Sequence, residues 1–119
     1  MNAWMERAVL WLDSVVPEPF EVRSINSGLV RIATAGNAAS VTVDIAGILG
    51  NDVTLGAIEI ALHALLASAQ DHISRNLREP WPSRNGELAM PCVASTDAGF
   101  EVGYAVDGQW VLRLPTAVE

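Results

Sequence analysis

Three features of the sequence predict an α+β fold. Two segments carry a 3.6-residue apolar period, several short runs alternate apolar and polar residues, and turn-forming residues separate them in the order α-βββ-α-βββ. At 119 residues the chain suits one domain over residues 1–119. In the expected arrangement two helices pack on one face of a largely antiparallel sheet.

The first helix is AWMERAVLWLDSVV (3–16). Trp4, Ala8, Trp11, Leu12 and Val15 recur at helical spacing, and Glu6, Arg7, Asp13 and Ser14 form a narrow polar strip. Met5, Val9, Leu10 and Val16 are apolar beyond that stripe. Pro17 and Pro19 end the helix. Three strands are expected next, FEVRSI (20–25), GLVRIAT (28–34) and SVTVDIA (40–46), with NSG (26–28) and AGNAA (35–39) as turns. In the third strand Val41, Val43 and Ile45 alternate with Thr42 and Asp44.

GILGND (47–52) leads into a long helix from about Thr54 to Arg78, with Asp52 or Thr54 as N-cap. After EPWPSRNG (79–86) three more strands follow. LAMPCVAS (88–95) holds Pro91, which confines it to an edge or a bulge. FEVGYAV (100–106) and QWVLRL (109–114) are joined by Asp107-Gly108, a strong two-residue hairpin signal. Both helices leave through proline pairs, PEPF (17–20) and EPWP (79–82), which hold an extended exit.

Composition excludes much chemistry. Fourteen acids against seven bases give a net charge of −7, which repels phosphate backbones and argues against nucleic acid as a partner. Every base is arginine, so no lysine is present for a P-loop, a Schiff base or general-base work. No apolar run is long enough to span a bilayer, and the acidic N-terminal helix does not read as a signal peptide. A cytoplasmic setting without membrane association is expected.

No residue set promises a metal, a cofactor or a catalytic centre. His63 and His72, nine positions apart on one helix, face opposite sides and cannot share an ion. Glu59 and His63 share a face but supply only two ligands. Cys92 is the single cysteine and reads as a small buried hydrophobe in the alternating run LAMPCVAS. In GILGNDVTLG the glycines Gly47, Gly50 and Gly56 do not fit a phosphate-loop spacing, and Asp52 opposes an anion there. Arg75, Arg78 and Arg84 form a basic cluster, read either as a solvated helix end or as a contact for an acidic segment of a partner. Trp81, between two prolines, either anchors the helix end to the core or stands out as a binding residue.

The long helix is the distinctive element. Leu55, Ile58, Leu62, Leu65, Leu66, Ala69, Ile73 and Leu77 form a broad stripe sufficient to cover a sheet. The opposite side, through Ile60, Ala61, Ala64 and Ala67, is also apolar, where a monomer is expected to carry charge. Either the first helix covers this strip or a second subunit does.

The order helix, three strands, helix, further strands, in a small acidic chain, resembles the acidic chaperones of type III secretion and related bacterial domains. That resemblance implies a dimer presenting apolar grooves to an extended client segment. The strands here run into LPTAVE without the closing helix many of those chaperones carry. The expectation is a non-enzymatic protein-binding domain, chaperone-like or adaptor, acting as a homodimer, with Ile60, Ala64, Ala67 and Trp81 as binding residues and no cofactor. The alternative is a small-molecule binder or enzyme whose pocket lies between the long helix and the sheet, with Glu59, His63, Cys92 or Tyr104 inside.

Overall fold

A computed structural model describes residues 3–26, 28–34, 40–49, 54–97 and 99–115. The elements in order are α1 (Ala3–Val15), β1 (Phe20–Asn26), β2 (Leu29–Thr34), β3 (Ser40–Asp44), α2 (Ile45–Leu49), α3 (Leu55–Leu77), β4 (Ser83–Arg84), β5 (Glu87–Leu88), β6 (Met90–Thr96), β7 (Gly99–Val106) and β8 (Gln109–Arg113). The fold is α+β, and every strand pair is antiparallel.

The expected single sheet is divided. The strands form two three-stranded sheets, ordered β1-β2-β3 and β6-β7-β8, and a two-stranded β4-β5. Each sheet is a local meander, and α3 lies between them in the chain, in contact with β2 and β3 on one side and with β6 and β7 on the other. The core is therefore built around α3. Leu62, Leu65, Leu66, Ala69 and Ile73 are fully buried, as are Val22, Val30 and Ile32 from the first sheet, Val102 and Tyr104 from the second, and Met5, Ala8 and Leu12 from α1. Truncating any one of the leucines costs about 2–5 kcal/mol.

Local chemistry sets the element ends. SVTVDIA does not stay extended to Ala46, because the Asp44 carboxylate accepts the Gly47 N–H at 2.8 Å and caps α2, a short helix absent from the sequence reading. Gly28 O takes the N–H groups of Ile45 and Ala46 (2.7 and 3.1 Å), and a Cβ on Gly28, whose φ is +98°, would collide with Ala46. Ile45 is buried as expected, but from a helix. Thr54 is the N-cap of α3, its hydroxyl accepting the Ala57 N–H at 3.2 Å; Asp52 lies outside the described residues, as do 35–39 and 50–53 of the expected loops. Arg78, at φ 62°, turns the chain out of α3 with its N–H on Ser74 O.

The exit segment holds a further hairpin. Ser83–Arg84 pairs with Glu87–Leu88 across Asn85-Gly86, both at positive φ, so Leu88 belongs to β5 and the edge strand starts at Met90. The Asp107-Gly108 hairpin forms as expected, with φ of 50° and 77°. Both helix exits contain a cis X-Pro bond, Glu18-Pro19 and Trp81-Pro82.

Buried polar contacts join the two halves to α3. The Tyr104 hydroxyl donates to Leu66 O at 2.7 Å, and the Gln70 side-chain amide donates to Ala89 O. His72 sits edge-on to Phe20, ring centroids 5.9 Å apart, with Nε2 3.5 Å from Thr34 Oγ1. Desolvation, helped by the charge of Arg75 and opposed by Asp71, holds the His72 pKa below its ordinary value.

Candidate functional site

The outward side of α3 follows from its pitch. Once Ile58, Leu62, Leu65, Leu66, Ala69 and Ile73 point inward, the 100° step places Gly56, Ile60, His63, Ala64 and Ala67 on the far side. Ile60 is 65% exposed, His63 is exposed, and Ala64 and Ala67 are half-buried. Ala61, expected on this strip, is fully buried. Contacts from α1, α2 and both sheets widen the covered arc of α3 beyond one stripe, and a small side chain fits within it. Leu55, expected in the stripe, is 62% exposed at the first position of the helix, one turn ahead of Ile58, where burial begins.

The second sheet completes the strip. Gln70 reaches Ala89, and Val93 stands beside Glu59, Ile60 and His63, so β6 runs antiparallel along α3. Gly56, Glu59, Ile60, His63 and Val93 line a shallow groove of about 390 Å³. Among the described residues β6 pairs only with β7, and Pro91 removes one N–H from that strand, as suits an edge position. Ile60, Ala64 and Ala67 thus share one surface.

Trp81 serves the end of α3. Its N–H donates to Ser74 Oγ at 3.0 Å, its carbonyl accepts from the same hydroxyl at 3.1 Å, and its half-buried ring meets Tyr104 at 5.6 Å between centroids. Of the two readings of this tryptophan, the geometry is that of the anchor.

The four residues of the pocket alternative are not brought together. Glu59 and His63 line the groove, whereas Tyr104 is fully buried with its hydroxyl committed to Leu66, and burial pushes its pKa up. Cys92, expected to be buried, is instead exposed: it alternates with Val93 and so lies on the other face of the sheet. The arginines of the basic cluster are engaged separately: Arg75 pairs with Asp71 at 2.8 Å, Arg78 forms the helix exit, and Arg84 donates to Gln109 at 2.9 Å. Among the described residues no group of three or more His, Cys, Asp or Glu is placed to hold a metal, and no helix is long and apolar enough to cross a membrane.

Two surfaces escaped the sequence reading. Met5 and Val9 of α1 and Val16 just beyond it are buried, while Leu10 of α1 is 72% exposed. Val9, Leu10 and Val22, with Glu6, Asp13, Arg23 and Ser24, line a 270 Å³ groove between α1 and β1. On the outward face of the first sheet, Arg23 of β1 stands directly opposite Arg31 of β2, and Arg31 opposite Thr42 of β3. Only the strand register reveals that row.

Comparison with protein-family models, with curated proteins and with solved structures returns no match for this chain.

Proposed function

We propose that the chain is a non-enzymatic protein-binding domain of chaperone-like or adaptor kind, working in the cytoplasm as a homodimer joined through the back of α3. One observation carries this reading: Ile60 is 65% exposed on a strip that also holds Gly56, Ala64 and Ala67. Burying one such side chain is worth about 1.5–3 kcal/mol, so the strip gains from being covered. A two-fold axis lets it meet its own copy, and the small residues permit close backbone approach. Glu59 is the one Asp, Glu, Lys or Arg of α3 ahead of Asp71, so the repulsion to overcome is small. The groove between α1 and β1, lined by Val9, Leu10 and Val22, offers an extended client segment an apolar seat.

Light scattering on the wild type is the first test, and a dimer is expected at ~100 μM, where even weak self-association registers. Ala64→Glu and Ile60→Arg then yield monomers with unchanged circular dichroism. A monomeric wild type at that concentration removes the homodimer from the proposal.

The Glu59–His63 groove also supports a second reading, in which it receives a small ligand. In that case His63→Ala abolishes ligand binding and leaves the oligomeric state unchanged.

A further inference from the structure

The outward face of β1–β3 sets two arginines directly opposite one another. Like charges directly opposite one another in an antiparallel pair are destabilising. A chain with fourteen acids and seven arginines has many chances to place an acid beside an arginine, yet it sets Arg23 against Arg31. Arg23 has only loose contacts, 3.8 Å to Asp13 and 3.8 Å to Glu21, and its side chain is 66% exposed. The exposed Arg31 side chain makes no ion pair or hydrogen bond among the described residues. Four of the other arginines have closer partners: Arg7 on Pro115 O at 2.7 Å, Arg75 on Asp71 at 2.8 Å, Arg84 on Gln109 at 2.9 Å and Arg113 on Glu101 at 3.0 Å. Thr42, opposite Arg31, extends the row with a hydroxyl donor.

From this we infer that the Arg23–Arg31–Thr42 row docks an extended acidic segment of a partner protein. Two adjacent guanidinium groups offer forked donors that match carboxylates. Glu21 and Asp44 bracket the row two positions away on β1 and β3, so the basic surface is narrow and selects a compact pair of acids. Ile25, 52% exposed at the irregularity in β1, adds an apolar contact next to the row and favours a segment that mixes acidic and apolar residues. The net charge of −7 repels long polyanions at a distance, which disfavours nucleic acid and leaves a short acidic peptide as the fitting partner.

The inference gives the protein-binding reading a partner chemistry but uses a surface separate from α3. The test is arginine Nε–Hε NMR of the full chain titrated with a capped alternating Glu-Val peptide, with a Lys-Val peptide and a single-stranded oligothymidylate as controls. The Glu-Val peptide is expected to shift the Arg23 and Arg31 signals and to bind more weakly as salt rises. Arg31→Thr should weaken it about tenfold, and the double change with Arg23→Thr should leave no saturable binding. Arg31→Thr should also raise the unfolding midpoint of the free protein by about 1–2 °C, by relieving the opposed charges. The inference is overturned if the signals stay still, if Arg31→Thr binds like the wild type or melts lower, or if either control binds as well as the Glu-Val peptide. Light scattering on the same samples separates this result from the homodimer: a monomer that still binds the peptide keeps the row and ends the self-association reading.

Discussion

Replacing Tyr104 with phenylalanine tests the joint between α3 and the second sheet. The ring is fully buried and its hydroxyl donates to Leu66 O at 2.7 Å. Burial raises the pKa of the phenol, so it remains a neutral donor across the working pH range. Tyr104→Phe removes one oxygen and keeps the ring, so almost no cavity forms, and the loss is that of a single net hydrogen bond, about 1 kcal/mol. Leu66 O lies inside α3 and keeps its place in the helical ladder, so the larger penalty for an orphaned buried acceptor does not apply. For a domain of this size that loss lowers the unfolding midpoint by about 4 °C. Urea unfolding at fixed protein concentration, followed by tryptophan fluorescence, should show the midpoint fall with an unchanged slope. Tyr104→Ala, which empties the site, should cost about 4 kcal/mol. A loss above ~3 kcal/mol for Tyr104→Phe would mean that Leu66 O had no other donor, and no loss at all would mean that the hydroxyl was not bonded to it; either result refutes this account of the joint.

Trp81→Ala should cost about 2 kcal/mol, since the ring is half-buried and meets Tyr104 edge-on; a cost under ~0.5 kcal/mol would place the ring in solvent. For His72 the folded pKa lies below the unfolded value near 6.5, so the unfolded chain binds the proton more readily. The neutral ring's contribution is therefore complete above pH 6.5 and lost as the pH falls through the folded pKa. His72→Gln should flatten the stability–pH curve in that window, and parallel curves for wild type and variant would contradict the assignment. Calorimetry with Zn²⁺ or ATP should give no micromolar binding, and zinc retained stoichiometrically after dialysis would refute that expectation.

What the sequence announced most clearly were elements whose signals are local. The 3.6-residue stripe of α3 is long enough to outweigh its neighbours, and Asp107-Gly108 admits the positive φ that few other residue pairs accept. The same rule applied to Asn85-Gly86 would have found the β4–β5 hairpin, hidden because its strands are two residues each. Asp44 was hidden differently. Its carboxylate reads as the wet face of a strand until the Gly47 N–H is seen to need a cap. The division into separate sheets depends on which strands pair at long range, and no local pattern reports that. Alanine limits the surface of α3 in the same way: Ala61 and Ala64 fit equally well against a packed neighbour or in the open, so only the large Ile60 marks the strip.

The arginine row was hidden by one irregular residue, and the apolar pattern carried the clue. Asn26 pairs with Leu29, and an unbroken ladder from that pair would go on to join Ile25 with Val30, Ser24 with Arg31 and Arg23 with Ile32. In that register Arg31 shares a face with Phe20 and Val22, while Val30 and Ile32 share one with Glu21 and Arg23, so neither face can be buried. The observed register shift between Ser24 and Asn26 leaves Ile25 without a partner and moves every later pair by one. Phe20, Val22, Val30 and Ile32 then line one face and are buried together. The same shift brings Arg23 opposite Arg31. The hydrophobic core therefore demands the irregularity, but it does not demand arginine at both positions: threonine or glutamate at position 31 would satisfy the sheet as well or better. A pair of like charges that packing leaves free to change calls for a reason outside the fold, and a carboxylate-bearing partner supplies one.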